Sequence, residues 1–254
     1  MFGFRLFATA LAFFPALAVQ VAVANAQLST AYISRDGSDA NNCVNPSVAC
    51  RFLPRAYDQL DAGGKIFILD SGTFAGTGLV ITQAVSVVAV GVQAQLAGGA
   101  LTNKIVVNAG PSDTVYLDGL HLVGDRGPGE PNGIIFNSGG ELHIRNCVIS
   151  GFSSAGIRLK APAPSKVVIS NCTIYNNTIG IYARRDGGSG QLNVVLDNVT
   201  VSRNTVGVRA VGGGTHLRMS LAKIVDNSTG LNSVDTGRLI SLGNNLIANN
   251  NTNG

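Results

Sequence analysis

The sequence predicts an all-β solenoid, a stack of parallel strands wound into coils and closed at its N-terminal end by one short helix. Three observations predict it. A motif recurs from about residue 114 to the end, with its Gly-aliphatic pair at Gly133-Ile134, Gly156-Ile157, Gly180-Ile181, Gly207-Val208 and Gly230-Leu231. The glycines are 23, 24, 27 and 23 residues apart, too long for a hairpin and right for one solenoid turn. Within each unit the apolar residues alternate with period two, as in a strand. The composition suits a narrow core: 254 residues with 32 Gly, 23 Asn, no Trp and only 10 Phe and 5 Tyr.

With 45% hydrophobic and 13% charged residues the chain is too apolar to be disordered. It lacks the every-third glycine of collagen and the Glu, Lys and Ala load of a coiled coil.

From the N-terminus, Arg5 precedes an apolar run from Leu6 to Ala24 that ends in Ala24-Asn25-Ala26. Pro15, Gln20 and the small-x-small ending mark residues 1–26 as a signal peptide rather than a membrane anchor. The expected mature chain starts at Gln27, has 17 basic and 14 acidic residues, and no later membrane span. It is expected in the periplasm or outside the cell. Its basic residues are scattered, with Arg184-Arg185 the only adjacent pair, which argues against nucleic acid as a partner.

Residues 27–64 are expected to form an N-terminal strand, a disulfide loop and the capping helix, and residues 65–254 the coils. Export permits disulfides. Cys43 and Cys50, seven apart in NNCVNPSVAC, read as a disulfide that closes this loop. The segment Phe52 to Ala62 is the one good helix candidate, with Pro54 in its first turn and Gly63-Gly64 to stop it. It covers the first rung, which would otherwise be a free edge. Lys65–Leu69, Leu79–Thr82, Val85–Ala89 and Lys104–Val107 read as strands.

The coils then follow in LHIRNCVISGF, VVISNCTIYNN, VVLDNVTVSRN, MSLAKIVDN and ISLGNNLIANN. Leu142 and Ile144 point inward, His143 and Arg145 outward. Asn146 bends the chain, since Asn tolerates the left-handed region. Two Asn ladders are expected, one at Asn146, Asn171, Asn198 and Asn244, the other at Asn177, Asn204, Asn227 and Asn250. Leu221 and Phe152 depart from them. A β-sandwich would not need the same Asn at the same phase in successive units. Cys147 and Cys172 share one inward position a coil apart, near 4.8 Å. An intercoil disulfide is within reach, but parallel Cβ vectors favour buried free thiols. The last rung has only the polar run Asn249–Asn253 to shield it, unless the natural chain continues.

At this point the residues resemble a known family. AYISRDGSDANNC, ACRFLPRAYDQL and GGKIFILDSGTF, with the ending GRLISLGNNLIANNNTNG, resemble exported bacterial right-handed parallel β-helix repeat proteins of the pectate-lyase-like superfamily. The resemblance spans 29–254 and implies that handedness. The fold hosts lyases, hydrolases, epimerases, adhesins and non-catalytic binders.

A lyase of this fold needs clustered carboxylates for Ca²⁺ and an Arg or Lys base; a hydrolase needs grouped aspartates. The mature chain has two glutamates, Glu130 and Glu141. Outward positions are expected in two columns. One is Asp118, Arg145, Ser170, Asp197, Ser220 and Gly243; the other is Tyr116, His143, Val168, Val195, Arg218 and Ser241. No two carboxylates adjoin in either. Tyr116, Asp118, His143, Arg145 and Arg218 form the candidate sugar-binding face. Asp125, Arg126 and Glu130 are a second, loop-borne candidate. His121, His143 and His216 show no metal-ligand spacing, so neither metal nor cofactor is expected.

The expected function is an exported, non-catalytic polysaccharide-binding or cell-surface structural protein, its partner an extracellular or cell-envelope polysaccharide. The alternatives are a polysaccharide lyase or glycoside hydrolase, and an adhesin-like surface for protein partners.

Overall fold

The computed structural model describes residues 27–76, 78–98, 103–127, 132–161 and 164–254. The signal-peptide reading of 1–26 lies outside the described residues. No helix among them is long and apolar enough to cross a membrane.

The chain winds into a right-handed parallel β-helix of about seven turns, with three sheets along its length. Among the described residues the first sheet has nine strands, the second eight and the third seven. One coil shows the plan. Glu141–Arg145 lies in the first sheet, Val148–Ser150 in the second and Ala155–Leu159 in the third. Ser165–Ser170 then starts the next coil in parallel on Glu141–Arg145, pairing Leu142 with Val167 and Ile144 with Ile169.

The period-two pattern explains the core. Leu142, Ile144, Ile149, Ile157 and Leu159 all point inward and are fully buried. Each such side chain contributes roughly 1.5–3 kcal/mol of transfer free energy. Stacking coils therefore builds a continuous core from aliphatic residues, without tryptophan.

The first-to-second-sheet corners are made by left-handed residues. Asn146, Asn171 and Asn198 have φ of 54°, 55° and 50°, and Leu221 takes the same place at 51°. In the last coil Gly243 makes the corner at φ 88°, not Asn244. Arg218 accordingly pairs with Ile240 and Met219 with Ser241. The expected columns thus need correction by one residue in this coil, because glycine takes the left-handed turn more readily than Asn. The outer Asn ladder is broken as a result. Asn198 Nδ2 donates to Asn171 Oδ1 at 2.9 Å, but Asn146 Nδ2 bonds Asp118 and Asn244 Nδ2 bonds Ser220.

The inner ladder is continuous. Asn177, Asn204, Asn227 and Asn250 sit one above another, and the Oδ1 of each of the last three accepts from the Asn of the preceding coil. The first three are buried. Phe152 stands at the head of this column, where its backbone N–H donates to Asn177 Oδ1.

The N-terminal end is covered by the disulfide loop and a helix. The Cys43–Cys50 disulfide is formed, with Cα atoms 5.0 Å apart. Tyr32 N–H donates to Cys43 O, and Cys50 N–H to Tyr32 O. The loop therefore lies along the otherwise unpaired edge of the first strand, Leu28–Ile33. The helix is shorter than expected, Leu53–Tyr57. Gly63 and Gly64 do not stop it but lie within strand Leu60–Ile68. Leu60 is buried and pairs with Leu28. That pairing captures the segment as strand before another helical turn forms.

At the other end the tail folds back. Gly230 N–H donates to Thr252 O and Leu231 N–H to Asn253 O. Asn250 Nδ2 donates to Asn253 Oδ1, which takes the place of a further ladder member.

Candidate functional site

Four of the five residues expected on the sugar-binding face are together on the outside of the first sheet. Tyr116 and His143 occupy adjacent rungs, with ring centroids 4.6 Å apart and planes 15° apart. The Arg145 guanidinium lies 5.8 Å from the centre of the Tyr116 ring and pairs with Asp118 at 3.3 Å. Asn146 holds the other Asp118 oxygen at 2.7 Å. His143 in turn bonds Glu141 at 3.0 Å, and Lys166 approaches Glu141 to 3.5 Å. The His143 hydrogen bond, helped by Lys166, holds the Glu141 carboxyl below its ordinary range. Arg218 does not join this group. It is three rungs beyond His143, roughly 14 Å away, where it donates to Asn193 Oδ1.

The loop candidate does not assemble a site among the described residues. Asp125 Oδ1 accepts from Gly127 N–H, and Arg126 reaches Asn176 at 3.0 Å. Glu130 lies outside the described residues. The histidines are apart. His121 is in the second sheet, where burial lowers its pKa and its Nε2 has no partner among the described residues. His216 is on the first sheet, its pKa lowered by burial and then by Arg238 and Arg218. Among the described residues no three His, Cys, Asp or Glu side chains converge on a point that could hold a metal ion.

Cys147 and Cys172 are free and buried. Cys147 Sγ donates to Arg145 O and Cys172 Sγ to Ser170 O. The hydrogen bond to Cys172 and burial push the Cys147 thiol well above its ordinary pKa.

A basic cluster that the sequence reading does not include lies on the outside of the third sheet. Arg158, Tyr182 and Arg209 are paired neighbours on three successive rungs. The two guanidinium carbons lie 5.2 and 5.8 Å from the centre of the Tyr182 ring, one from each side along the helix axis. Such contacts orient an arginine without neutralising it. Neither Arg158 nor Arg209 has a carboxylate partner among the described residues, and the Nε of each has no acceptor. At the adjoining corner Lys160 and Arg184 share one carboxylate, Asp186, at 3.5 and 3.0 Å. Four cations therefore share this region with Asp186, and Asp235 is close enough to act on Arg184 as well. A signal was present in the sequence: the residue after each Gly-aliphatic pair points outward, and in three successive coils it is Arg158, Tyr182 and Arg209.

The glycine of that pair has a steric cause. A Cβ on Gly180 would meet Gly207 O at 2.6 Å and Val201 Cγ1 at 2.6 Å. Gly156 and Gly207 meet the next coil in the same way. The third sheet thus closes tightly on the ladder, and its outward residues start at a fixed phase in each coil.

A family match and one solved structure agree with this architecture. The family described as right handed beta helix region matches residues 128–254. Among solved structures the chain is similar to one titled "Crystal structure of pectate lyase Pel9A", at 12% identity and a TM-score of 0.51, over 80% of this chain and 67% of that one. A structure titled "Rhamnogalacturonan lyase" aligns at 12% identity with a TM-score of 0.29, over 87% of each chain. No curated protein matches the chain. The chain belongs to the right-handed β-helix family and has the pectate-lyase-like fold.

Proposed function

We propose that this protein is an exported, non-catalytic β-helix that binds acidic polysaccharide along the outer face of its third sheet. One observation carries the reading: the row Arg158–Tyr182–Arg209, two guanidiniums one rung to either side of a tyrosine and free of carboxylates among the described residues. Guanidinium forks match carboxylates in a planar, bidentate way. The rungs place these forks at a regular spacing along the axis, as a polymer with repeated carboxylates requires. Lys160 and Arg184 extend the basic surface around the corner. The Cys43–Cys50 disulfide supports an oxidising compartment.

The non-catalytic part rests on where the carboxylates lie. Asp118 and Asp197 are three rungs apart on the first sheet, with Arg145 and Ser170 between them in the column. Asp186, beside the basic row, is already shared by Lys160 and Arg184. None of these three is set against another as acid and base.

The test is a panel of neutral and acidic polysaccharides, read for binding and for turnover as reducing ends and unsaturated uronate. Retention on uronate polymers, lost on neutral ones and at high salt, is the expected result. Release of new ends from any polymer would instead establish a lyase or hydrolase. Binding to no glycan would point to a protein partner.

A further inference from the structure

The first sheet carries a second feature, on a different face from the basic row. A groove of about 430 Å³ is lined by Lys65, Phe67, Ser86, Val88, Tyr116, Asp118 and Arg145. Its origin is a step in side-chain size. Strand Val85–Val88 points only Ser86 and Val88 outward. The rung before it presents Lys65 and Phe67, and the rung after it Tyr116 and Asp118, in direct register. The walls are therefore two rungs apart, roughly 9.6 Å from backbone to backbone.

Tyr116 makes one wall. One of its faces stacks on His143, on the strand away from the groove. Its other face looks across Ser86 toward Lys65. One van der Waals contact of about 3.5–4 Å on each side leaves room for a single flat ring. Phe67 and Val88 give this slot an apolar flank, and Phe67 is itself held by stacking on Tyr32 at 6.0 Å. The rim is charged. The Lys65 side chain is exposed and makes no ion pair among the described residues. Arg145 is half-exposed beside Asp118. Two cations face one carboxylate, so one further negative charge balances the groove.

We propose that this slot is a binding site for a small aromatic carboxylate, its ring between Tyr116 and Lys65 over Ser86 and its carboxylate on Lys65 and Arg145. A flat ring suits the spacing and the apolar flank. A sugar ring would turn hydroxyls toward Phe67 and Val88, which offer them no hydrogen bond. The site does not depend on polysaccharide binding by the third sheet.

Benzoate is the probe, titrated against the intact folded protein by calorimetry and by amide shifts in NMR spectra. For so small a ligand on an open groove, a dissociation constant on the order of 1 mM is expected. Ser86→Phe fills the slot and should weaken binding on the order of tenfold. Lys65→Gln, at an exposed position that does not threaten folding, should weaken it about fivefold. Lys223→Gln, exposed on the second sheet away from both the groove and the basic row, should leave the shifts around Ser86 and Tyr116 unchanged. Cyclohexanecarboxylate, with the same charge and a puckered ring, should bind several-fold more weakly. The proposal is overturned if benzoate shifts no resonance around Ser86 and Tyr116, or if neither Ser86→Phe nor Lys65→Gln weakens it. It is equally overturned if cyclohexanecarboxylate or galacturonate shifts the resonances around Ser86 and Tyr116 at concentrations as low as benzoate does, since the slot then does not select a flat ring.

Discussion

Asn204 Oδ1 accepts two hydrogen bonds from Asn177, one coil earlier: from its backbone N–H at 2.9 Å and from its side-chain Nδ2 at 3.1 Å. Asn204 donates the same pair to Asn227 at 2.9 and 3.0 Å. Its Nδ2 also reaches Ser202 O and Ile174 O. The amide is thus buried yet fully used, which makes the ladder a means of locking coil onto coil.

Asn204→Leu should cost about 3–5 kcal/mol, because it leaves donors of Asn177 buried without an acceptor. Asn198→Gly, which keeps the left-handed corner in the exposed outer column, should cost less than about 1 kcal/mol. Denaturant unfolding of the two variants side by side measures the difference. Equal losses would mean that the inner ladder has no special weight.

Gly180→Ala tests the tight closure of the third sheet. Its Cβ would overlap the Gly207 carbonyl. A loss of about 2 kcal/mol or more is expected, as for other overpacked interiors. Gly187 has open space around it but a φ of +79°, so Gly187→Ala should cost only about 1 kcal/mol of backbone strain. Thermal unfolding would separate the two.

Much of this architecture was legible because stacked coils repeat their constraints. A left-handed corner in every coil asks for Asn or Gly, and a close carbonyl asks for Gly, so the phase of the solenoid appears in the sequence. Single departures were harder to read. Gly243 beside Asn244 offered two corners, and only strand pairing chose between them. Leu60 joined the first strand instead of the helix because of its partner Leu28, which local propensity does not encode. The column read from the sequence, Tyr116, His143, Val168, Val195 and Arg218, follows the strand pairing, and that order puts Arg218 three rungs from His143. The basic row on the third sheet is hard to read from the sequence because Arg158, Tyr182 and Arg209 are 24 and 27 residues apart and fall into line only when set against the glycine before each.

Thiol chemistry gives a third prediction. Cys147 is 0% and Cys172 2% exposed. A thiol reagent should find no reactive thiol in the folded protein. It should find two per chain in denaturant, and four after reduction of Cys43–Cys50. Finding none in denaturant would mean that Cys147 and Cys172 are already joined.

His216 gives a pH dependence. Its pKa is lowered in the fold by burial and by Arg238 and Arg218. The unfolded chain therefore binds its proton more readily, and stability falls as pH drops through the ordinary histidine range near 6.5. His121 acts in the same direction, so a variant is needed to isolate His216. His216→Gln should lose less stability between about pH 7 and 5 than the natural protein does. An identical pH profile for the two would contradict the assignment.

The most direct test of the central claim is affinity electrophoresis in gels containing polygalacturonate, with the double variant Arg158→Ala and Arg209→Ala beside Arg145→Ala. The account predicts that the natural protein and Arg145→Ala are retarded alike, and that the double variant loses most of the retardation, a weakening of about tenfold or more. If the double variant is retarded as strongly as the natural protein, the third-sheet face is not the binding surface.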